Sequence, residues 1–211
     1  VIEKILPTEV GTAWAASDPP EATLFPEEEA LVAKAVAKRR AEFTTGRWCA
    51  RRALAQLGQP AVAIGSGPKR EPLWPAGFVG TITHCAGYRA AAVARTDVLR
   101  SLGIDAEPDA PLPEGVLDSV SLPEERAWLA EQTDAEIHFD RLLFCMKEAV
   151  YKAWFPLTGR WLGFEDARIS IDPITATFEA QLLPADSPLE RFEGRYLAEN
   201  RLLLAAIAVT G

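Results

Sequence analysis

Two short runs of small and branched apolar residues constrain this chain most: residues 88–94 (YRAAAVA) and 201–209 (RLLLAAIAV). Both read as strands, and each closes one half of the sequence. Each half opens on a further strand, at 10–16 and at 101–107, and passes through helices before its closing strand pair. This echo predicts an α+β fold of two similar halves, 1–100 and 101–211, a pseudo-dimer with its seam near residue 100. The alternative is that an α+β chain can be cut in this way without any duplication. The length of 211 residues fits one large domain or two small ones.

The remaining elements follow local signals. Pro26 before Glu27-Glu28-Glu29 starts a helix, with acids at the positive end of its dipole. The helical pattern, broken once, runs to Leu57, where Gly58 stops it. Residues 65–68 (GSGP) read as a loop, and 79–83 with 88–94 as strands around a turn at Ala86-Gly87. Helices are expected at 123–132 and 138–155, the second long and amphipathic. Strands are expected at 168–171, 175–183, 194–197 and 202–209.

Composition excludes several classes. A content of 48% hydrophobic residues builds a core, so the chain is not disordered. The longest apolar run, 202–209, falls far short of the roughly 18–20 residues of a membrane helix. The early acid in Val1-Ile2-Glu3-Lys4 predicts no secretory signal, and a cytoplasmic location is expected. Three widely spaced cysteines, Cys49, Cys85 and Cys145, form neither a disulfide framework nor a zinc motif. A net charge of −8 argues against nucleic-acid binding.

That charge is unevenly spread. Lys34, Lys38, Arg39, Arg40, Arg47, Arg51 and Arg52 cluster in the first half against Glu42. Acids dominate the stretch from Asp105 to Asp140, Asp134 among them. Arg40, Arg47 and Arg51 fall on one helical stripe, either a solvated face or a phosphate-binding one.

Three local patterns carry chemistry. In Gly103-Ile104-Asp105-Ala106-Glu107-Pro108 a strand places Asp105 and Glu107 on one face and Ile104 and Ala106 on the other. Two such carboxylates either sit in water on an edge strand or need a cation or a shared proton, and oxygen-only donors favour Mg²⁺ or Mn²⁺. In Lys147-Glu148-Ala149-Val150-Tyr151-Lys152, Glu148 and Lys152 share a helix face, as a surface ion pair or as buried groups in need of partners. Thr83-His84 ends a strand before a glycine turn, where a histidine bonded to backbone is the plainer reading. Together, three acids for a hard cation and several arginines and lysines for phosphates make a kit for metal-assisted transfer of a phosphate-containing group. No GxxxxGK[ST], GxSxG or HExxH occurs.

The pair G-I-D-A-E-P and F-C-M-K-E-A-V-Y-K, about forty residues apart, resembles the signature of Sfp-type 4′-phosphopantetheinyl transferases. The likeness is greatest to the enterobactin synthetase component D-like and mycobacterial members, and it extends over K-R-R-A-E-F-T-T-G-R-W-C-A-R and K-A-W-F-P-L-T-G-R-W-L. The resemblance implies two fused α+β halves with the active site in the cleft between them. It also implies transfer of the phosphopantetheine arm of coenzyme A to a serine hydroxyl of an apo acyl or peptidyl carrier protein. The resemblance further implies release of adenosine 3′,5′-bisphosphate and a monomeric enzyme.

By the same resemblance, Asp105, Glu107 and Glu148, with the Ala106 backbone nearby, hold Mg²⁺, with Mn²⁺ as the alternative. Glu148 takes the serine proton directly or through water, Lys152 contacts the pyrophosphate, and Lys147 assists. Arg39, Arg47, Ser66, Gly67, Pro68, Lys69, Thr83 and His84 hold the adenine and 3′-phosphate, and Leu162 contacts the pantetheine. The competing class is a metal-dependent nucleotidyltransferase or phosphohydrolase using Asp105 and Glu107. The Arg100-Ser101-Leu102-Gly103 order lacks the Gly-Ser helix start usual there.

Overall fold

The computed structural model describes residues 1–132 and 136–211, so Asp134 lies outside the described residues. In the first half, β1 (Gly11–Ala15), β5 (Tyr88–Arg95) and β4 (Phe78–Cys85) form an antiparallel sheet in the order β1-β5-β4. In the second, β6 (Ser101–Pro108), β10 (Leu202–Val209) and β9 (Arg191–Glu199) repeat that order. A hairpin of β7 (Ala167–Asp172) and β8 (Thr177–Leu182) extends the sheet beyond β9 and has no counterpart in the first half. One 20-residue helix packs on each sheet: α2 (Ala37–Gln56) on the first and α5 (Phe139–Thr158) on the second.

A glycine in each opening strand permits that packing. A Cβ on Gly11 would lie 2.4 Å from the Ala53 carbonyl of α2, and one on Gly103 would lie 2.1 Å from the Ala149 carbonyl of α5. Two shorter helices also begin alike. α1 (Pro26–Leu31) and α4 (Pro123–Ala130) carry proline at the first helical position, where its missing N–H costs nothing. Glu28 folds back to accept the Phe25 amide (2.9 Å), and Glu125 to accept the Leu122 amide (2.7 Å). Both glutamates are buried and receive a cation from the long helix of their own half, Arg51 on Glu28 and Lys147 on Glu125, each at 2.8 Å. Each accepts one further amide, from Ile64 (2.8 Å) and from Ile169 (2.7 Å).

The sheets meet along their edges. Thr81 and Thr83 of β4 accept the Ile104 and Ala106 amides of β6 through their hydroxyls, at 3.3 and 3.1 Å. Side chains thus satisfy buried amides that no neighbouring strand reaches. An apolar cluster with Ile2, Ile5, Tyr88, Leu102, Ile104 and Leu204 fills the seam behind this edge.

The expected elements are present, with the first helical stretch broken at 32–36. The expected loop at 65–68 instead begins with β2 (Gly65–Ser66), paired with β3 (Pro72–Leu73) in a small hairpin. A five-residue helix, α3 (Val116–Val120), was not expected. Among the described residues no helix is long and apolar enough to cross a membrane.

Candidate active site

Helices α2 and α5 wall a cleft of about 1000 Å³, with β4 as floor and the β2–β3 hairpin as rim. Of the residues expected to bind a phosphate-rich ligand, Arg39 and Arg47 reach it from α2. Ser66, Gly67 and Lys69 come from the hairpin, His84 from β4, and Glu148 and Lys152 from α5. Pro68, Thr83, Asp105 and Leu162 do not line it.

Strand β6 turns Gly103, Asp105 and Glu107 to α5, while Ile104 and Ala106 face the seam cluster, as alternation requires. Asp105 Oδ1 accepts from Lys152 Nζ (2.7 Å) and from Thr83 Oγ1 (2.9 Å). Asp105 Oδ2 is buried and has no hydrogen-bond partner. Glu107 accepts from Arg141 Nη1 (3.0 Å), whose other nitrogens bind the Ala110 and Pro111 carbonyls. Burial first, then the charge of Asp105, raises the Glu107 carboxyl against the pull of Arg141. Burial likewise raises Glu148; Lys152 opposes this, and Asp105 and Glu107 add to it. Burial alone would lower the Lys152 ammonium, but the charge and hydrogen bond of Asp105, with Glu148 behind them, hold it above the usual lysine range.

The three expected ligands therefore share one neighbourhood without closing on one point. Among the described residues no three His, Cys, Asp or Glu side chains form a metal-ligating cluster, because Lys152 and Arg141 stand against two of the carboxylates. An unpaired buried oxygen costs about 1–3 kcal/mol. That orphan Oδ2 and an all-oxygen donor set with two raised carboxyls fit a hard divalent cation.

Other expected residues take different roles. Arg47 is buried and donates to the Ile64 and Gly65 carbonyls and to Ser66 Oγ, at 2.8, 3.0 and 3.0 Å. It holds the hairpin in place, and burial lowers its guanidinium to about 10. Thr83 spends its hydroxyl on Asp105 and the Ala106 amide, so it orients the carboxylate. Lys147 does not reach the cleft: Glu125 and the Phe164 and Ala167 carbonyls occupy all three of its protons. Leu162 is buried behind Glu148, lining a separate cavity of about 120 Å³ with Tyr151 and Trp161. The arginine stripe is dispersed, Arg40 to Glu29 and Arg51 to Glu28. Arg141 and the cleft-lining Glu42, Arg70, Trp74 and Tyr151 were not foreseen. Arg141 was legible in principle, because its spacing from Glu148 and Lys152 is helical.

Two family models match successive stretches: the 4′-phosphopantetheinyl transferase N-terminal domain over residues 27–94, and the 4′-phosphopantetheinyl transferase superfamily over 101–205. The 4′-phosphopantetheinyl transferase Npt of Nocardia iowensis is 54% identical, over 99% of this chain and 99% of that protein. This chain belongs to the 4′-phosphopantetheinyl transferases. A second relative of this transferase, PptT of Mycobacterium tuberculosis, is 54% identical over 92% of the chain and 89% of its own length. Enterobactin synthase component D of Salmonella typhi is more distant, at 37% identity over 70% of the chain and 61% of that protein. The expected family, the two-half α+β fold and the transfer of 4′-phosphopantetheine are borne out.

Proposed function

We propose that this transferase takes the phosphopantetheine arm from coenzyme A lying in the cleft and places it on a serine of an apo acyl or peptidyl carrier protein. In this reading residues 1–100 and 101–211 are the two halves, and the enzyme works as a cytoplasmic monomer. The observation that carries it is the Asp105–Lys152 pair, a half-satisfied buried carboxylate one hydrogen bond from a lysine that lines the cleft.

Asp105, Glu107 and Glu148 would hold Mg²⁺, with the Ala106 backbone nearby and Mn²⁺ as a substitute; when bound, the ion neutralises charge on the pyrophosphate. Arg39, Lys69 and His84 bind the phosphates of the nucleotide end, while Arg47 fixes the hairpin beside them through the Ile64 and Gly65 carbonyls and the Ser66 hydroxyl. Glu148, whose raised carboxyl suits a base, takes the proton from the serine hydroxyl, directly or through one water. The serine oxygen bonds to the pantetheine phosphorus as the bond to the bridging pyrophosphate oxygen breaks. Lys152 offsets the charge that builds on the departing adenosine 3′,5′-bisphosphate.

The test is intact-mass measurement of apo carriers from fatty-acid, polyketide, peptide-synthetase and siderophore assembly, each incubated with the enzyme, coenzyme A and Mg²⁺. At least one carrier gains the mass of the arm. No gain on any of them overturns the reading.

A further inference from the structure

On the cleft floor, His84 sits between two residues one helical turn apart on α2. Arg39 Nη1 lies 2.8 Å from His84 Nε2, and Glu42 Oε2 lies 3.7 Å from His84 Nδ1. A guanidinium can only donate, so Nε2 is the acceptor. The imidazole is therefore neutral, with its proton on Nδ1 facing Glu42. Every charged group around it has a sign. Arg39 on α2, Arg89 on β5 and Lys152 on α5 oppose protonation, as burial does most, and Glu42 on α2 favours it. Glu42 makes no other hydrogen bond or ion pair among the described residues, and it lines the cleft.

We propose that Glu42 is a positioning residue that makes His84 a proton-linked receptor for a phosphate monoester. The proposal rests on the reading that coenzyme A occupies this cleft. When the monoester arrives, Arg39 turns its donors from Nε2 to the phosphate oxygens. The freed Nε2 takes one proton from solvent and donates it to the phosphate, while Glu42 holds the Nδ1 proton and the charge of the imidazolium. Coenzyme A carries one monoester, on its ribose, with a second ionisation near pH 6, so it is close to a dianion at pH 7.5. Its pyrophosphate oxygens carry single charges. The receptor thus separates coenzyme A from its analogue lacking the ribose phosphate by charge as well as by contact.

The experiment is calorimetric titration of coenzyme A into the metal-free enzyme at pH 7.5, in two buffers of different ionisation enthalpy. The apparent enthalpy then reports protons taken up on binding. The wild type should take up a large fraction of one proton with coenzyme A and none with dephospho-coenzyme A. Glu42→Gln should lose most of that uptake and bind coenzyme A about tenfold more weakly, with unchanged affinity for dephospho-coenzyme A. Glu42→Asp should restore part of the uptake, which a purely structural glutamate would not require. Equal uptake in wild type and Glu42→Gln overturns the role of Glu42, and uptake with dephospho-coenzyme A overturns the monoester assignment. Failure of the wild type to bind either ligand would instead remove the coenzyme A reading, and this inference with it.

Discussion

The two halves of this transferase share one scaffold, and they differ in the side chains set on it. Gly11 in β1 and Gly103 in β6 play one part, each letting a helix carbonyl approach. Cys49 and Cys145 lie at matching helix positions, their thiols directed to the Arg89 and Leu203 carbonyls of the central strands. Glu28 with Arg51 matches Glu125 with Lys147. The next residues on the helix-facing side of the opening strand are Ala13 and Ala15 in the first half, but Asp105 and Glu107 in the second. Gln56, one turn beyond Ala53, ties α2 to the Thr12 backbone, whereas Lys152 at the matching place on α5 reaches Asp105. A repeated scaffold thus carries the carboxylate and lysine cluster in one copy through a few side-chain exchanges, while the other copy supplies the arginine-bearing wall of the cleft.

Breaking the reactive copy should have the largest effect. Asp105→Asn should lower the transfer rate by about 10³-fold, the scale of losing one preorganised electrostatic group. It should also abolish the rise in melting temperature that Mg²⁺ gives the wild type, a readout independent of turnover.

The matched glutamates rank next, because both are buried and paired. Removing one partner of a buried ion pair costs about 3–5 kcal/mol. Glu125→Gln should lie at the upper end, since it strands a Lys147 side chain that is 1% exposed. Glu28→Gln should cost less, because the Arg51 side chain is 11% exposed and water reaches the charge left behind. Urea unfolding of both variants checks the order, and the reverse order would break the equivalence.

Gly11→Ala and Gly103→Ala should each cost about 1–3 kcal/mol by overpacking against a helix backbone that cannot yield. Gly103→Ala should also lower activity, because displacing α5 from β6 moves Lys152 away from Asp105.

The smallest effect is one of pH. Folding raises the Glu148 carboxyl above 4.5, chiefly by burial, so the folded chain binds that proton more tightly than the unfolded chain. Its stabilising contribution is present below pH 4.5 and is lost as pH rises through the folded value. Glu148→Gln should therefore melt higher than wild type at pH 7, with the difference shrinking toward pH 4, while transfer fails. Unchanged or lower stability at pH 7 would count against the raised carboxyl.

Strand alternation placed Asp105 with Glu107, and the proline before acids marked the start of α1, because these signals are local. The arginine stripe was legible as geometry but not as function. Helical spacing puts Arg40, Arg47 and Arg51 on one face, yet Glu28, Glu29 and the Ile64 and Gly65 carbonyls claim them from elsewhere in the chain. Lys147 was misread for the same reason: its neighbours in sequence are at the site, but its partner, Glu125, lies on another helix. Glu42 lies in a stretch that resembles the family and Arg141 on the helical stripe of Glu148, but only the fold sets them against His84 and Glu107.

The division of labour between the halves is tested most directly by one paired measurement, coenzyme A affinity and single-turnover transfer to one apo carrier in Arg39→Ala and Lys152→Ala. The account predicts that Arg39→Ala weakens binding at least tenfold while its rate at saturating coenzyme A stays within a few-fold of wild type. Lys152→Ala should bind within tenfold of wild type and transfer about 100-fold more slowly. Equal losses of binding and rate in both variants, or the opposite pattern, would contradict it.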